Sequence, residues 1–313
     1  MNEQYGALRA ELSKVIFGQD EVIDFALAAL FSCGHVILEG PPGVAKTLLV
    51  RTLASTLALD CRRIQMTPDL LPSDITGSSI YREDQHQFEF RPGPIFANFV
   101  LADEINRAAA RTQSALLEAM QELRVTYDGV SHRLPEPFVV FATQNPIEQE
   151  GTYPLPLAQL DRFMFKVRVE YPPAEDERRI LHEHHATGGL ASPEQLLVNK
   201  VMTADGILSA REQIRRTHVR DEVVDYVQRL VAGTRGNDSL MVGASPRSGL
   251  MLLMGAKSLA RFAGRDFVTP DDVKSAFLPA MRHRVVLSPT AELEGTSSDD
   301  VLAEMIEMIE VPR

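Results

Sequence analysis

The first half of the chain alternates short apolar runs with polar or Gly/Pro-rich stretches. Strand candidates fall at His35 to Leu38, Arg62 to Met66, Phe99 to Ala102, Phe138 to Ala142 and Phe163 to Val169. They are separated by segments long enough for crossover helices, which predicts a parallel α/β sheet of about five strands. Glu21 to Cys33 reads as a buried helix ahead of the first strand, and Leu48 to Leu59 carries leucines at near-helical spacing behind it. Two stretches carry hairpin signals instead. One runs from Ile80 to Phe90 with the polar tip Glu83-Asp84-Gln85, the other from Val125 to Leu134 with a turn at Asp128-Gly129.

Past Tyr171-Pro172-Pro173 the strand signal fades and helical periodicity takes over. This predicts an α/β core over residues 1–173 with two β-hairpin inserts, and a smaller, all-helical domain over residues 174–313. Ser245-Pro246 and Thr269-Pro270-Asp271-Asp272 mark two helix starts, each a capping residue before a first-turn proline. Residues from Pro289 to Asp300 read as a loop ahead of a short last helix.

Composition narrows the classes. With 313 residues, 44% hydrophobic and 24% charged, the chain can fill two cores. A net charge of −11 argues against a surface built to grip nucleic acid throughout. Cys33 and Cys61 match neither zinc-pair nor redox spacing, so a reduced, cytoplasmic protein is expected. No apolar run approaches the roughly 20 residues of a membrane span.

The chemistry concentrates at strand ends. Gly40 to Thr47 reads GPPGVAKT, one residue from the phosphate-loop pattern G-x-x-x-x-G-K-[ST], with Ala45 in place of the second glycine. It follows a strand and opens a helix, as that motif requires. In such a loop backbone N–H groups surround phosphates, the lysine reaches the outer ones and the hydroxyl binds magnesium, which are the roles open to Gly40, Gly43, Lys46 and Thr47. The whole stretch of Gly40, Pro41, Pro42, Gly43, Val44, Ala45, Lys46, Thr47 and Leu48 is the candidate nucleotide contact. The strand candidate ending in Ala102 delivers Asp103 and Glu104, suited to a metal and to activating water. Phe138 to Ala142 exits into Thr143, Gln144 and Asn145, where a side-chain amide can orient water near a terminal phosphate. Arg162 stands just before the last strand candidate, placed equally for a carboxylate partner at the surface. Arg247 falls in a first helical turn, where the positive helix end disfavours it by roughly 0.3–1 kcal/mol. An anion there would remove that penalty, and a nucleotide phosphate or a surface carboxylate both qualify.

The order GPPGVAKT, LADEINRA, ATQNP, LAQLDRF, GASPRSG resembles the AAA+ ATPases, and within them the MoxR family, over essentially the whole chain. The stretches FRPGPIF and QSALLEAMQE carry the same likeness. The resemblance implies Walker A at Gly40 to Thr47, the Walker B pair at Asp103 and Glu104, sensor 1 at Asn145, an arginine finger at Arg162 serving the neighbouring subunit, and sensor 2 at Arg247. It further implies ATP and Mg2+, a homo-oligomer as a hexameric ring, a protein client to be remodelled or matured, cofactor or metal insertion included, and a partner with a von Willebrand factor A domain. Two other classes fit the core: a nucleic-acid motor, against which the acidic charge weighs, and a nucleotide-gated binding module. His182, His184 and His185 suggest a metal, but on a helix only His182 and His185 share a face and no further ligands accompany them.

Overall fold

The strand candidates assemble into one sheet in the computed structural model, which describes residues 1–84, 86–146, 153–186 and 198–312. The strands are β1 (Val36–Glu39), β2 (Cys61–Gln65), β3 (Gly77–Arg82), β4 (Gln87–Pro92), β5 (Phe99–Asp103), β6 (Arg124–Tyr127), β7 (Val130–Arg133), β8 (Val139–Gln144), β9 (Phe165–Arg168), β10 (Leu240–Val242) and β11 (Val286–Leu287). Five of them form a parallel sheet in the order β2-β5-β8-β1-β9. Alternate residues serve opposite faces. Val36, Leu38, Phe99, Leu101, Val139 and Phe141 join one hydrophobic cluster, and Ile37, Val100, Ala102, Val140 and Ala142 the other. Burial on both faces is why these runs are continuously apolar.

The first cluster is the larger. It takes in the helix Asp20–Phe31, the helix Lys46–Thr56, and the buried faces of the C-terminal helices Pro246–Phe262 and Pro270–Met281. Core and helical part are therefore fused by one apolar interior. Tyr5, on the first helix, stacks on Phe262 with ring centroids 4.0 Å apart and donates from its hydroxyl to Asp24 at 2.7 Å. The helix Ala110–Glu122 covers the second face with Leu116, Leu117 and Met120.

Both hairpins form, the first longer than its signal. β3 pairs β4 from Gly77 opposite Pro92 to Arg82 opposite Gln87, and Gln85 at the tip lies outside the described residues. β6 and β7 are joined by Asp128 and Gly129, at φ of 48° and 76°, the left-handed pair that a tight hairpin turn needs. The hairpins touch each other: Phe90 stacks on His132 with centroids 4.2 Å apart.

Two details depart from the sequence reading. The C-terminal part is not helical throughout, since β10 and β11 pair antiparallel within it. Residues expected to form a loop from Pro289 contain the helix Pro289–Leu293, and the last helix, Ser298–Met308, starts earlier than expected. Ser288 caps the first of these and Ser297 with Asp300 forms a capping box on the second. Ser288-Pro289 repeats the signature of Ser245-Pro246, but five residues are too few to show periodicity.

Candidate functional site

In a parallel sheet the C-terminal ends of neighbouring strands meet at one edge. Leu38 stands opposite Thr143 and Ala102 opposite Ala142, so the exits of β1, β5 and β8 bring Gly40, Asp103 and Asn145 to that edge.

The loop is shaped by three unlike requirements. Gly40 packs on the end of β9, where an added Cβ would come within 2.1 Å of the Val169 carbonyl oxygen. Gly43, at φ 86° with open space where a Cβ would stand, is there for its backbone conformation. Ala45 is the N-cap of the helix Lys46–Thr56 and adopts φ 60° and ψ 18°. That left-handed conformation costs an L-residue roughly 1–2 kcal/mol, which a glycine would avoid. The helix that follows offers its unpaired first N–H groups to an anion.

The Lys46 ammonium donates to the Gly40 carbonyl at 2.5 Å and the Pro41 carbonyl at 3.1 Å. Burial pushes its pKa down, while Asp103, Glu104 and Glu39 pull it up. At the end of β5, Asp103 Oδ1 accepts from the Thr143 hydroxyl at 2.6 Å, and that hydroxyl accepts from the Glu104 N–H at 2.8 Å. Thr143 thereby locks β8 to the acidic pair. Asp103 Oδ2 takes the Arg63 Nε at 3.0 Å and Nη2 at 2.5 Å. Glu104 sits at φ 56° and ψ 54°, left-handed like Ala45. Its Oε2 accepts from Gln65 Nε2 at 3.2 Å and pairs with Arg107 Nε at 3.1 Å. Strained backbone held by surrounding bonds is common where a side chain must be aimed.

These groups share a cavity of about 580 Å³ lined by the loop from Pro42 to Leu48, by Asp103, Glu104, Thr143 and Asn145, and at its apolar end by Val15, Ile16, Phe17, Pro172 and Ile180. Thr47 and Asp103 both line it and carry hard oxygens, a donor set that suits Mg2+, which takes one or two protein oxygens and fills its remaining positions with phosphate and water. Gly40 and Pro41 are outside the lining and serve by holding Lys46. Arg162 and Arg247 are elsewhere. They line a separate cavity of about 500 Å³ with Arg211, Arg215 and His35. Arg162 donates from Nη1 to the Leu117 carbonyl at 2.8 Å. Asp161 accepts from the Ser245 hydroxyl at 3.0 Å, which places a carboxylate at the start of the helix that carries Arg247.

Sequence reasoning missed the apolar wall and Gln19, which is buried and donates from Nε2 to the Val44 carbonyl at 3.0 Å. It also missed the grip of Arg63 and Gln65 on the acidic pair. These residues come from helix ends and a neighbouring strand, and no local pattern marks them. His182 and His185 lie exposed on the helix Ala174–Ala186, the His184 side chain is outside the described residues, and among described residues no three His, Cys, Asp or Glu gather as a metal site.

The chain matches two families, described as the ATPase family associated with various cellular activities (AAA) over residues 35–165 and the AAA lid domain over residues 232–305. It is 43% identical to chaperone MoxR1 of Mycobacterium tuberculosis, over 97% of this chain and 81% of that protein. It is 44% identical to YeaC of Bacillus subtilis, over 96% of this chain and 92% of that one. A crystal structure of a Cytophaga hutchinsonii protein superposes with a TM-score of 0.91 at 40% identity, covering 100% of this chain and 96% of its own. A P-loop at the switch edge of a five-stranded parallel sheet, followed by a helical lid, defines an AAA+ ATPase architecture. Within that class the chain belongs to the MoxR family. No described helix is long and apolar enough to cross a membrane.

Proposed function

We propose that the chain hydrolyses ATP within a homo-oligomeric ring, hexameric by family resemblance, and uses the turnover to remodel or mature partner proteins. The observation that carries this reading is the separation of the two cavities. Loop, acidic pair and Asn145 line the first; no arginine is among its described lining residues, whereas Arg162 and Arg247 line the second. Phosphoryl transfer gains from an arginine on the terminal phosphate in addition to Lys46, and a neighbouring subunit that docks its second cavity against the first would supply it.

In this reading the N–H groups of Gly43 to Thr47 surround the phosphates and Lys46 exchanges its carbonyl partners for the outer phosphates. Thr47 and Asp103 would hold Mg2+, which when bound neutralises phosphate charge. Glu104 takes the proton of the attacking water, Asn145 orients that water, and Val15 to Phe17 with Ile180 cover the base. The relative named chaperone MoxR1 supports a protein client. A von Willebrand factor A domain partner follows from the family resemblance, and a cytoplasmic location from the spacing of Cys33 and Cys61, which suits a reduced protein. Nucleic acid is not expected as a partner, given the charge of −11.

Mixing chains tests the reading. Arg162→Ala and Lys46→Ala proteins should each lose at least about tenfold in turnover, since arginine fingers are typically worth about 10³ to 10⁵. Co-assembled, they should regain activity at interfaces that pair an intact loop with an intact arginine. Co-assembly without recovery sinks the shared site.

A further inference from the structure

Asp161 directly precedes Arg162, and Ser245 stands two residues before Arg247. The two segments are far apart in sequence, yet one carboxylate joins them. Asp161 Oδ2 accepts from the Ser245 hydroxyl at 3.0 Å, and Oδ1 accepts from Arg284 Nε at 2.8 Å. We infer that Asp161, clasped by Arg284, is a positioning residue that holds the Arg162 and Arg247 segments in one fixed relation; the inference rests on the proposal that both arginines act on ATP.

Arg284 is the anchor of this node. It is only 2% exposed, and burial pulls its pKa down to about 10, which leaves it charged at neutral pH. Its Nη2 donates to the Phe163 carbonyl at 2.5 Å and the Asp161 carbonyl at 3.4 Å, while Nη1 donates to Met164 at 3.2 Å and to Ala280. The guanidinium thus fastens the chain on both sides of Arg162 to the end of the helix Pro270–Met281. Burying such a charge is costly unless it is paired and its donors are used, as they are here. A lysine has a single nitrogen and no planar fork with which to reproduce the set.

Ser245 supplies the second line. It occupies the N-cap position of the helix Pro246–Phe262 with extended backbone, φ −76° and ψ 163°, but its side chain makes no capping bond. Its hydroxyl is turned instead to Asp161 and, at 3.3 Å, to the Ser248 hydroxyl. A residue type suited to capping its own helix is used to tie that helix to the Arg162 segment. Arg247 is exposed, and the half-buried Arg162 guanidinium has one bond of its own, from Nη1 to the Leu117 carbonyl, so the set of the two segments helps decide where both groups stand. A displacement of about 1 Å at a group acting on the transition state can cost about 10²-fold in rate.

Asp161→Asn keeps the shape and removes the charge. Single-turnover ATP hydrolysis should fall about tenfold or more, while the Kd for a fluorescent ATP analogue stays within about twofold, because other residues line the nucleotide cavity. In an Arg162→Ala, Arg247→Ala background the same substitution should change the residual single-turnover rate by less than about twofold, since it has nothing left to position. Ser245→Ala removes one hydroxyl and no cap, so it stays folded and should lower the rate about threefold with unchanged Kd. The inference is overturned if the Asp161→Asn loss recurs in the double arginine background, or if Asp161→Asn and Ser245→Ala both hydrolyse ATP like the wild type. Failure of the underlying reading looks different: the Arg162→Ala, Arg247→Ala chain alone would then keep the wild-type rate.

Discussion

Arg63 on β2 and Asp103 on β5 form a two-donor ion pair, with Nε and Nη2 at 3.0 Å and 2.5 Å from the same carboxylate oxygen. The pairing places a positive charge where Asp103 would meet a cation. Arg63 is about half exposed, so water screens the pair and limits its worth to roughly 1 kcal/mol. Arg63→Gln should therefore lower the Mg2+ concentration for half-maximal ATP hydrolysis by up to about fivefold. A Mg2+ titration at saturating ATP reads this directly; an unchanged or raised requirement would show that Arg63 does not compete with the cation.

Ala45 bears a left-handed backbone at the entry to the phosphate loop. Glycine relieves roughly 1–2 kcal/mol of strain there but loosens the unfolded chain by about 0.4–1 kcal/mol. Ala45→Gly should thus be more stable by up to about 1.5 kcal/mol in urea melts, with ATP affinity changed no more than about tenfold. Lys46→Ala should abolish most binding or turnover. A wild-type protein that binds ATP only after Ala45 becomes glycine would reveal a decayed loop.

Glu104→Gln keeps the length of the side chain and its contacts with Gln65 and Arg107 within reach, but loses the carboxylate that accepts a proton. ATP binding by fluorescence should persist while steady-state turnover drops below about a tenth of wild type. A rate above that level removes Glu104 from the role of base.

His35 is buried, accepting from the Val140 N–H at 3.0 Å through Nδ1 and reaching the Met120 carbonyl at 3.3 Å through Nε2, so it is held neutral. Burial, joined by the charges of Arg211 and Arg247, lowers its pKa to about 4. A depressed histidine favours folding only while it stays neutral; below the unfolded value near 6.5 the unfolded chain takes up the proton that the folded chain refuses. The contribution is complete above about pH 6.5 and is lost as pH falls toward 4, with about 2 kcal/mol gone by pH 5. His283, also buried and depressed, works in the same direction. Urea midpoints at pH 7 and pH 5 should show the loss, and His35→Gln should flatten the slope by about one proton.

Much of this protein was legible because its signals are local. Apolar strands, the hairpin turn at Asp128-Gly129 and the cap at Thr269 each depend on a few consecutive residues whose backbone preferences and side-chain chemistry agree. The motif that ends in Lys46-Thr47 and the acidic pair Asp103-Glu104 also announce themselves, since a parallel sheet sends every strand end to the same edge. Tertiary structure alone decided what surrounds them. Val15 to Phe17 and Ile180 become one wall only when the sheet, the N-terminal helices and the helix Ala174–Ala186 pack together. Arg162 and Arg247 are far apart in sequence, and only the packing of the C-terminal helices on the sheet brings them to one cavity, separate from that of the loop. The bond between Asp161 and Arg284 spans more than a hundred residues, and its partners are chosen by the burial of one guanidinium, which no local pattern encodes. Local free energies select the elements, but the side chains that meet are selected by the shared interior those elements close.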